Sequence, residues 1–241
     1  MGRLLVLVMS DFVLSFMWVW AGPLTKVFVT SFLGVGHHTR EAEVLKYSLS
    51  VVYMYVFAWI ATFSGGAAYN PLTVLSSAFV GGPRAFLFTA FGRIPAQIAG
   101  SIIGVRLIKQ NFPQVGHGPR LTVDIHHGAL IEGFLTFMIV MVSLGLKKKD
   151  PKSFFMKTWM STISKMSLHI LGSDLTGGIM NPASALGWAY ARGDHISREH
   201  LFVYWVAPVH ASLLAVWTFR LFTEPRKSKV QTPKEHKTKA E

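Results

Sequence analysis

The chain of 241 residues is apolar and basic, with 51% hydrophobic residues, 15% charged residues, a mean hydropathy of +0.38 and a formal charge of +12. A soluble domain of this size carries about 25% charged residues, so the composition excludes an ordinary soluble protein. The absence of cysteine excludes disulfides, thiol catalysis and iron–sulfur sites.

Six apolar stretches each have about the 20 residues that cross the hydrocarbon core of a bilayer. They are 4–21, 45–63, 93–108, 127–146, 154–171 and 201–219. Basic residues gather beside these stretches, at 147–149 and after residue 222. This placement is typical of cytosolic loops and argues against nucleic-acid binding. The sequence therefore predicts an integral membrane protein.

The uncharged stretch 47–83 is too long for one span, and it contains the first of two Asn-Pro pairs that follow a Gly-Gly pair. The pairs are Asn70-Pro71 and Asn181-Pro182. Proline suits the first position of a helix, where its missing N–H is not needed. We therefore predict two re-entrant half-helices that begin at the prolines and point at a common centre, which indicates a pore.

The two halves of the chain also match in their first spans. Asp11 precedes Ser15 by one helical turn, and Glu132 precedes Thr136 in the same way. A carboxylate inside an apolar helix costs about 2.5–3.5 kcal/mol, so we expect both acids to face the interior. There they would accept hydrogen bonds from backbone N–H groups of the re-entrant loops.

Three spans in each half require the second half to insert upside down relative to the first, which is the inverted-repeat architecture. We place repeat one at about 1–110 and repeat two at about 120–222, followed by a disordered basic tail at 223–241. Both termini then lie in the cytosol together with the loop after 147–149.

Taken together, these residues resemble those of the major intrinsic proteins, the aquaporin family. The motifs are Asn70-Pro71-Leu72 and Asn181-Pro182-Ala183, with further similarity at 96–100 and 200–208. The chain is most similar to the plant small basic intrinsic proteins of the Asn-Pro-Leu and Asn-Pro-Ala branch. The resemblance implies an all-α membrane fold with six transmembrane helices and two half-helices. It also implies a homotetramer in the endoplasmic reticulum membrane. We expect no cofactor, because no phosphate-binding loop appears, and no metal, because the histidine pairs at 37–38 and 126–127 lack a cysteine or carboxylate set.

The resemblance also implies a pore mechanism. Asn70 and Asn181 would donate hydrogen bonds to a passing water where the half-helices meet, while the helix ends oppose cations. Leu72 stands where most members of the family have alanine, and a bulkier residue there would shift the half-helix.

Four positions match the outer constriction of the family: Ser50, His169, Gly178 and Ser184. Water-selective members have arginine where Ser184 stands, so we expect a wider and less cationic filter that also admits small neutral solutes. For Ser50 the alternative is an ordinary packing serine, and for His169 it is an interfacial residue.

Lys165 lies one turn before His169, so both side chains face roughly the same way. We predict that Lys165 points into the pore, where it would repel cations. The alternatives are that it reaches the interface or pairs with a carboxylate.

The tail carries lysines third and fifth from the end, Lys237 and Lys239. They are similar to a dilysine retrieval signal of the endoplasmic reticulum; the alternative is a basic tail attracted to anionic lipid.

The sequence favours a passive channel for water, and for small neutral solutes, over an enzyme. Two alternatives stay open: a poorly conducting protein with a structural or regulatory role, and a coupled transporter. The coupled transporter has the least support, because we count only Asp11, Glu132 and Lys165 as well-placed charges in the spans.

Overall fold

The computed structural model describes residues 2–36 and 39–223. Eight helices form this described part, with a 3-10 turn at Pro113–Val115. They are α1 Gly2–Phe32, α2 Arg40–Phe63, α3 Pro71–Gly81, α4 Pro83–Asn111, α5 Ile125–Lys149, α6 Phe154–Gly172, α7 Pro182–Arg192 and α8 Arg198–Thr223. The predicted all-α fold with two short helices beginning at Pro71 and Pro182 is confirmed.

Five helices among the described residues are long and apolar enough to cross a membrane: α1, α2, α4, α5 and α8. The predicted fifth span, α6, is 19 residues long but is not among them. Its serines and threonines, together with Lys157, Lys165 and His169, lower its hydropathy. It nevertheless packs against α2 and α5, with Thr158 and Thr162 buried, while apolar side chains such as Phe155 and Trp159 are exposed on its outer face.

The predicted start of the third span is wrong. The sequence predicts this span from Arg93, whereas the corresponding helix α4 begins ten residues earlier, at Pro83. Gly82 adopts a φ of +87°, which glycine tolerates, and Pro83 then takes the first helical position. As a consequence Arg93 lies within α4 rather than at its end.

The packing of the helices repeats between the two halves. The first and last long helices of each half pack together, as α1 with α4 and α5 with α8. Each half-helix packs on the last helix of the other half, so α3 contacts α8 and α7 contacts α4. This crossed arrangement brings the starts of α3 and α7 to the middle of the bundle.

Small residues allow the closest of these contacts. A Cβ on Gly100 of α4 would lie 2.2 Å from the Phe12 carbonyl oxygen of α1. A Cβ on Gly187 of α7 would lie 2.7 Å from the Ser101 carbonyl oxygen of α4. The glycines are therefore required where two backbones touch inside one chain.

Candidate transport pore

The two Asn-Pro motifs meet through reciprocal hydrogen bonds at the centre of the bundle. The Asn70 side-chain amide donates to the Met180 carbonyl oxygen at 2.7 Å. The Asn181 side-chain amide donates to the Tyr69 carbonyl oxygen at 3.0 Å. Each asparagine thus binds the residue that precedes the other, and the two loops hold each other in register.

Each asparagine also caps its own half-helix. The Asn70 side-chain oxygen accepts from the Leu72 N–H at 2.9 Å, and the Asn181 oxygen accepts from the Ser184 N–H at 3.3 Å. Leu72 and Ala183 are buried directly behind the prolines. The positive ends of two helix dipoles therefore face each other at this point.

Asp11 ties the first loop to α4. Its carboxylate accepts from the Ala68 backbone N–H at 2.7 Å and forms two hydrogen bonds with Arg93, at 2.6 and 2.9 Å. Arg93 also donates to the Gly66 carbonyl oxygen at 2.8 Å. Arg93 is therefore a further well-placed charge within the spans, besides Asp11, Glu132 and Lys165. Its position at the predicted edge of the third span gave no signal of this pairing.

Glu132 ties the second loop to α5 without a basic partner in these contacts. Its carboxylate accepts from the Thr176 hydroxyl at 2.7 Å and from the Ile179 and Met180 backbone N–H groups at 3.0 Å. The side chain is fully buried. Three donors thus satisfy a carboxylate that burial would otherwise disfavour.

The four predicted filter residues lie together on one cavity of about 480 Å³, which we name the His169 cavity. Gly178 has a φ of +49°, and its carbonyl oxygen lies 3.1 Å from His169 Nδ1. The Ser50 hydroxyl donates to the Lys46 carbonyl oxygen of its own helix at 2.8 Å while still bordering the cavity. Ser184 is buried beside the same space.

A second cavity, of about 510 Å³, lies beyond the motifs and is named the Asn70 cavity. Asn70, Leu72 and Lys157 line it. The Lys157 ammonium donates to Asp150 at 2.7 Å. This hydrogen bond and the lysine charge hold the pKa of the exposed Asp150 below its ordinary value.

Lys165 lies at the boundary between the two cavities and lines both. Its ammonium donates to the Tyr69 hydroxyl at 2.9 Å and lies 4.8 Å from the ring centre of Trp18. Among the described residues its partner is therefore a hydroxyl and two rings, not a carboxylate. Sequence reasoning missed Tyr69 and Trp18. The position of Tyr69 directly before Asn70 was the one available signal.

A bundle of apolar helices that encloses two half-helices and two cavities, each lined in part by polar side chains, is the architecture of a membrane channel. Residues 3–219 match the family model described as major intrinsic protein. The chain belongs to this family.

Its relatives include plant aquaporins of the SIP type, the small basic intrinsic proteins. The chain is 58% identical to aquaporin SIP2-1 of Zea mays over 98% of its own length and 95% of that protein. It is 51% identical to probable aquaporin SIP2-1 of Arabidopsis thaliana, covering 97% and 98% of the two chains. Aquaporin SIP1-1 of Zea mays is 37% identical over 97% of this chain and 99% of that protein. The resemblance to small basic intrinsic proteins is confirmed.

Proposed function

We propose that this protein is a passive channel for water and small neutral solutes in an intracellular membrane. The observation that carries the proposal is the reciprocal pairing of Asn70 and Asn181 between two cavities. Its relatives in Zea mays and Arabidopsis thaliana are named aquaporins, which agrees with this proposal. The chain acts as a transporter and not as an enzyme.

The asparagines supply the hydrogen-bond donors of the channel. A primary amide carries two N–H groups, and each side chain uses one of them for the opposite loop. We expect the second N–H of each to be donated to a passing water oxygen; Asn70 borders the Asn70 cavity. Two donors beside two positive helix ends orient the water and oppose the passage of cations.

The filter set Ser50, His169, Gly178 and Ser184 favours a wide entrance. These residues border a cavity of about 480 Å³, and a short neutral hydroxyl stands at position 184. Small neutral solutes are therefore admitted besides water. Lys165 lines the path and repels cations there.

Asp11 and Glu132 anchor the re-entrant loops and do not carry ions. Their carboxylate oxygens are occupied by loop N–H groups, by Thr176 and by Arg93. Charges held in this way are not exchanged during transport, which supports a passive channel over a coupled transporter.

Osmotic shrinkage of proteoliposomes, followed by stopped-flow light scattering, tests the function. We expect the native protein to show fast water permeation with a low activation energy, and Asn181→Asp to reduce it to the value of empty liposomes. The substitution replaces the N–H donors with carboxylate oxygens beside the Tyr69 carbonyl oxygen.

Asn111→Asp is the matched control, because Asn111 is the one asparagine of the sequence outside the two Asn-Pro motifs. Within the described part of the chain its exposed amide donates to the Leu107 carbonyl oxygen, at 2.8 Å, and to no loop of the pore. Native protein that is folded but no faster than empty liposomes would contradict the proposal.

The assembly and location are further parts of the proposal. We place the protein as a homotetramer in the endoplasmic reticulum membrane, with both termini in the cytosol. The basic loop after α5 supports this orientation. The signal at Lys237 and Lys239, and the tail that holds it, lie outside the described residues.

A further inference from the structure

We infer that Trp18, Tyr69 and Lys165 form the barrier that selects solutes, so that selection occurs between the two cavities and not at the four filter positions. The inference rests on the proposed channel function and identifies where in the path the selection is made.

The first argument is the position of Lys165. The four filter residues border only the His169 cavity, which is open space of about 480 Å³ around them. Three side chains line both this cavity and the Asn70 cavity: Met54, Lys165 and Met180. A solute that crosses from one cavity to the other must pass these three side chains. Of the three, only Lys165 carries a charge.

The second argument is that Lys165 is held in place. Its ammonium is 2.9 Å from the Tyr69 hydroxyl oxygen, 4.7 Å from the Tyr69 ring centre and 4.8 Å from the Trp18 ring centre. The Trp18 and Tyr69 rings stack with centres 3.9 Å apart and planes at 12°. An ammonium near two aromatic faces is attracted by both, so the lysine is fixed across the junction rather than extended toward solvent.

The third argument is that the rings themselves are braced. Phe57 meets the Trp18 ring edge-on at 5.2 Å and the Tyr69 ring at 5.5 Å. Tyr53 meets Trp18 at 5.6 Å. The backbone of Tyr69 is held by Asn181 at the same time. Removal of the Tyr69 hydroxyl would therefore leave both the ring and the loop in place.

The chemistry of this group defines the solutes that it accepts. The ammonium repels cations and offers its remaining N–H donors to an acceptor oxygen. The aromatic faces of Trp18 and Tyr69 have no oxygen that could replace the water around a cation. The barrier thus opposes cations by its charge and slows neutral solutes larger than water by its narrow width, which is set by how tightly Lys165 is held.

Proteoliposomes with Lys165→Met and Tyr69→Phe test the barrier, with water and urea as the probes. Lys165→Met keeps an unbranched side chain, shorter by one atom, and removes the charge and its hydrogen bond. We expect it to raise urea permeability about tenfold. The hydrogen bond from the charged Lys165 to Tyr69 holds the lysine across the junction, and its loss corresponds to about that factor. Tyr69→Phe removes the hydroxyl but keeps the ring, so we expect a smaller rise. Lys165→Arg should stay near the native value.

Lys152→Met and Tyr190→Phe are the matched controls, because both residues are exposed and border neither cavity. Thermal unfolding of each purified variant verifies that it is folded.

The outcomes separate the barrier from the channel function. A native protein that conducts water, with Lys165→Met and Tyr69→Phe equal to it for urea, would overturn the barrier and leave the channel intact. A larger rise in His169→Ala than in Lys165→Met would return selection to the filter positions. A native protein closed to water that Lys165→Met opens would support the barrier and contradict the conducting function. If native and variant proteins all equal empty liposomes, both fail.

Discussion

At the scale of single residues, the two buried carboxylates perform the same task with different partners. Asp11 receives a guanidinium and one backbone N–H, whereas Glu132 receives a hydroxyl and two backbone N–H groups. Both are fully buried. The first loop therefore depends on an ion pair and the second on neutral donors.

Asp11→Asn is expected to destabilise the protein strongly, since it leaves the Arg93 guanidinium without its carboxylate. Removing one partner of a buried pair costs about 3–5 kcal/mol. The matched control is Asp150→Asn, which breaks an exposed ion pair with Lys157 and should cost about 0–1 kcal/mol. Asparagine also tolerates the left-handed backbone of that position, where φ is +39°.

Thermal unfolding in detergent measures both variants. An equal shift of the midpoint in the two would show that the Asp11–Arg93 pair does not hold the first loop.

At the scale of elements, the half-helices are short, and their position depends on their neighbours. An isolated helix of 11 residues is marginal in water, so α3 and α7 need packing to persist. Packing on α8 and α4 provides it, and the asparagine caps satisfy N–H groups at their starts. The position of each half-helix is therefore set by the other half of the chain.

Gly100→Ala should separate α1 from α4. Its Cβ would lie 2.2 Å from the Phe12 carbonyl oxygen, and backbone cannot move aside as a side chain can. Overpacking of this kind costs about 1–3 kcal/mol. Gly145→Ala in α5 is the control, because nothing lies within 4 Å of its Cβ position. There alanine should stabilise the helix by up to about 1 kcal/mol.

Midpoints of thermal unfolding are compared for the two alanine variants. A Gly100→Ala protein as stable as the native chain would mean that the two helices do not touch at this residue.

At the scale of the whole molecule, the two cavities and the junction between them form the candidate path. The His169 cavity contains the predicted filter positions, and the Asn70 cavity lies beyond the motifs. Because the sequence has no cysteine, an introduced thiol can mark a single point on this path.

Ser50→Cys should make water permeation sensitive to mercurials, since residue 50 lines the His169 cavity. The native protein and Ser48→Cys should be insensitive, because residue 48 is exposed two positions away on α2 and lines neither cavity. Stopped-flow scattering before and after the reagent measures the block, and added thiol should reverse it. Unchanged permeation in a Ser50→Cys protein shown by mass to be labelled would place the path elsewhere.

Local patterns in the sequence predicted most of the fold. Hydropathy located the spans, and the Gly-Gly and Asn-Pro pairs located the starts of α3 and α7 to the residue. The polar helix α6 was also predicted, at 154–171 against Phe154–Gly172 in the structure. The early start of α4 was less accessible, because the turn at Gly82 depends on a backbone conformation that apolar periodicity does not reveal.

The sequence by itself determined the membrane class, the paired half-helices and the interior placement of Asp11 and Glu132. These follow from hydropathy, proline geometry and the cost of burying a charge, which act within a few residues. Only the tertiary structure decided that Arg93 pairs with Asp11, 82 positions away, and that Lys165 binds Tyr69, 96 positions away. Such pairs depend on how the helices cross, so no local pattern specifies them.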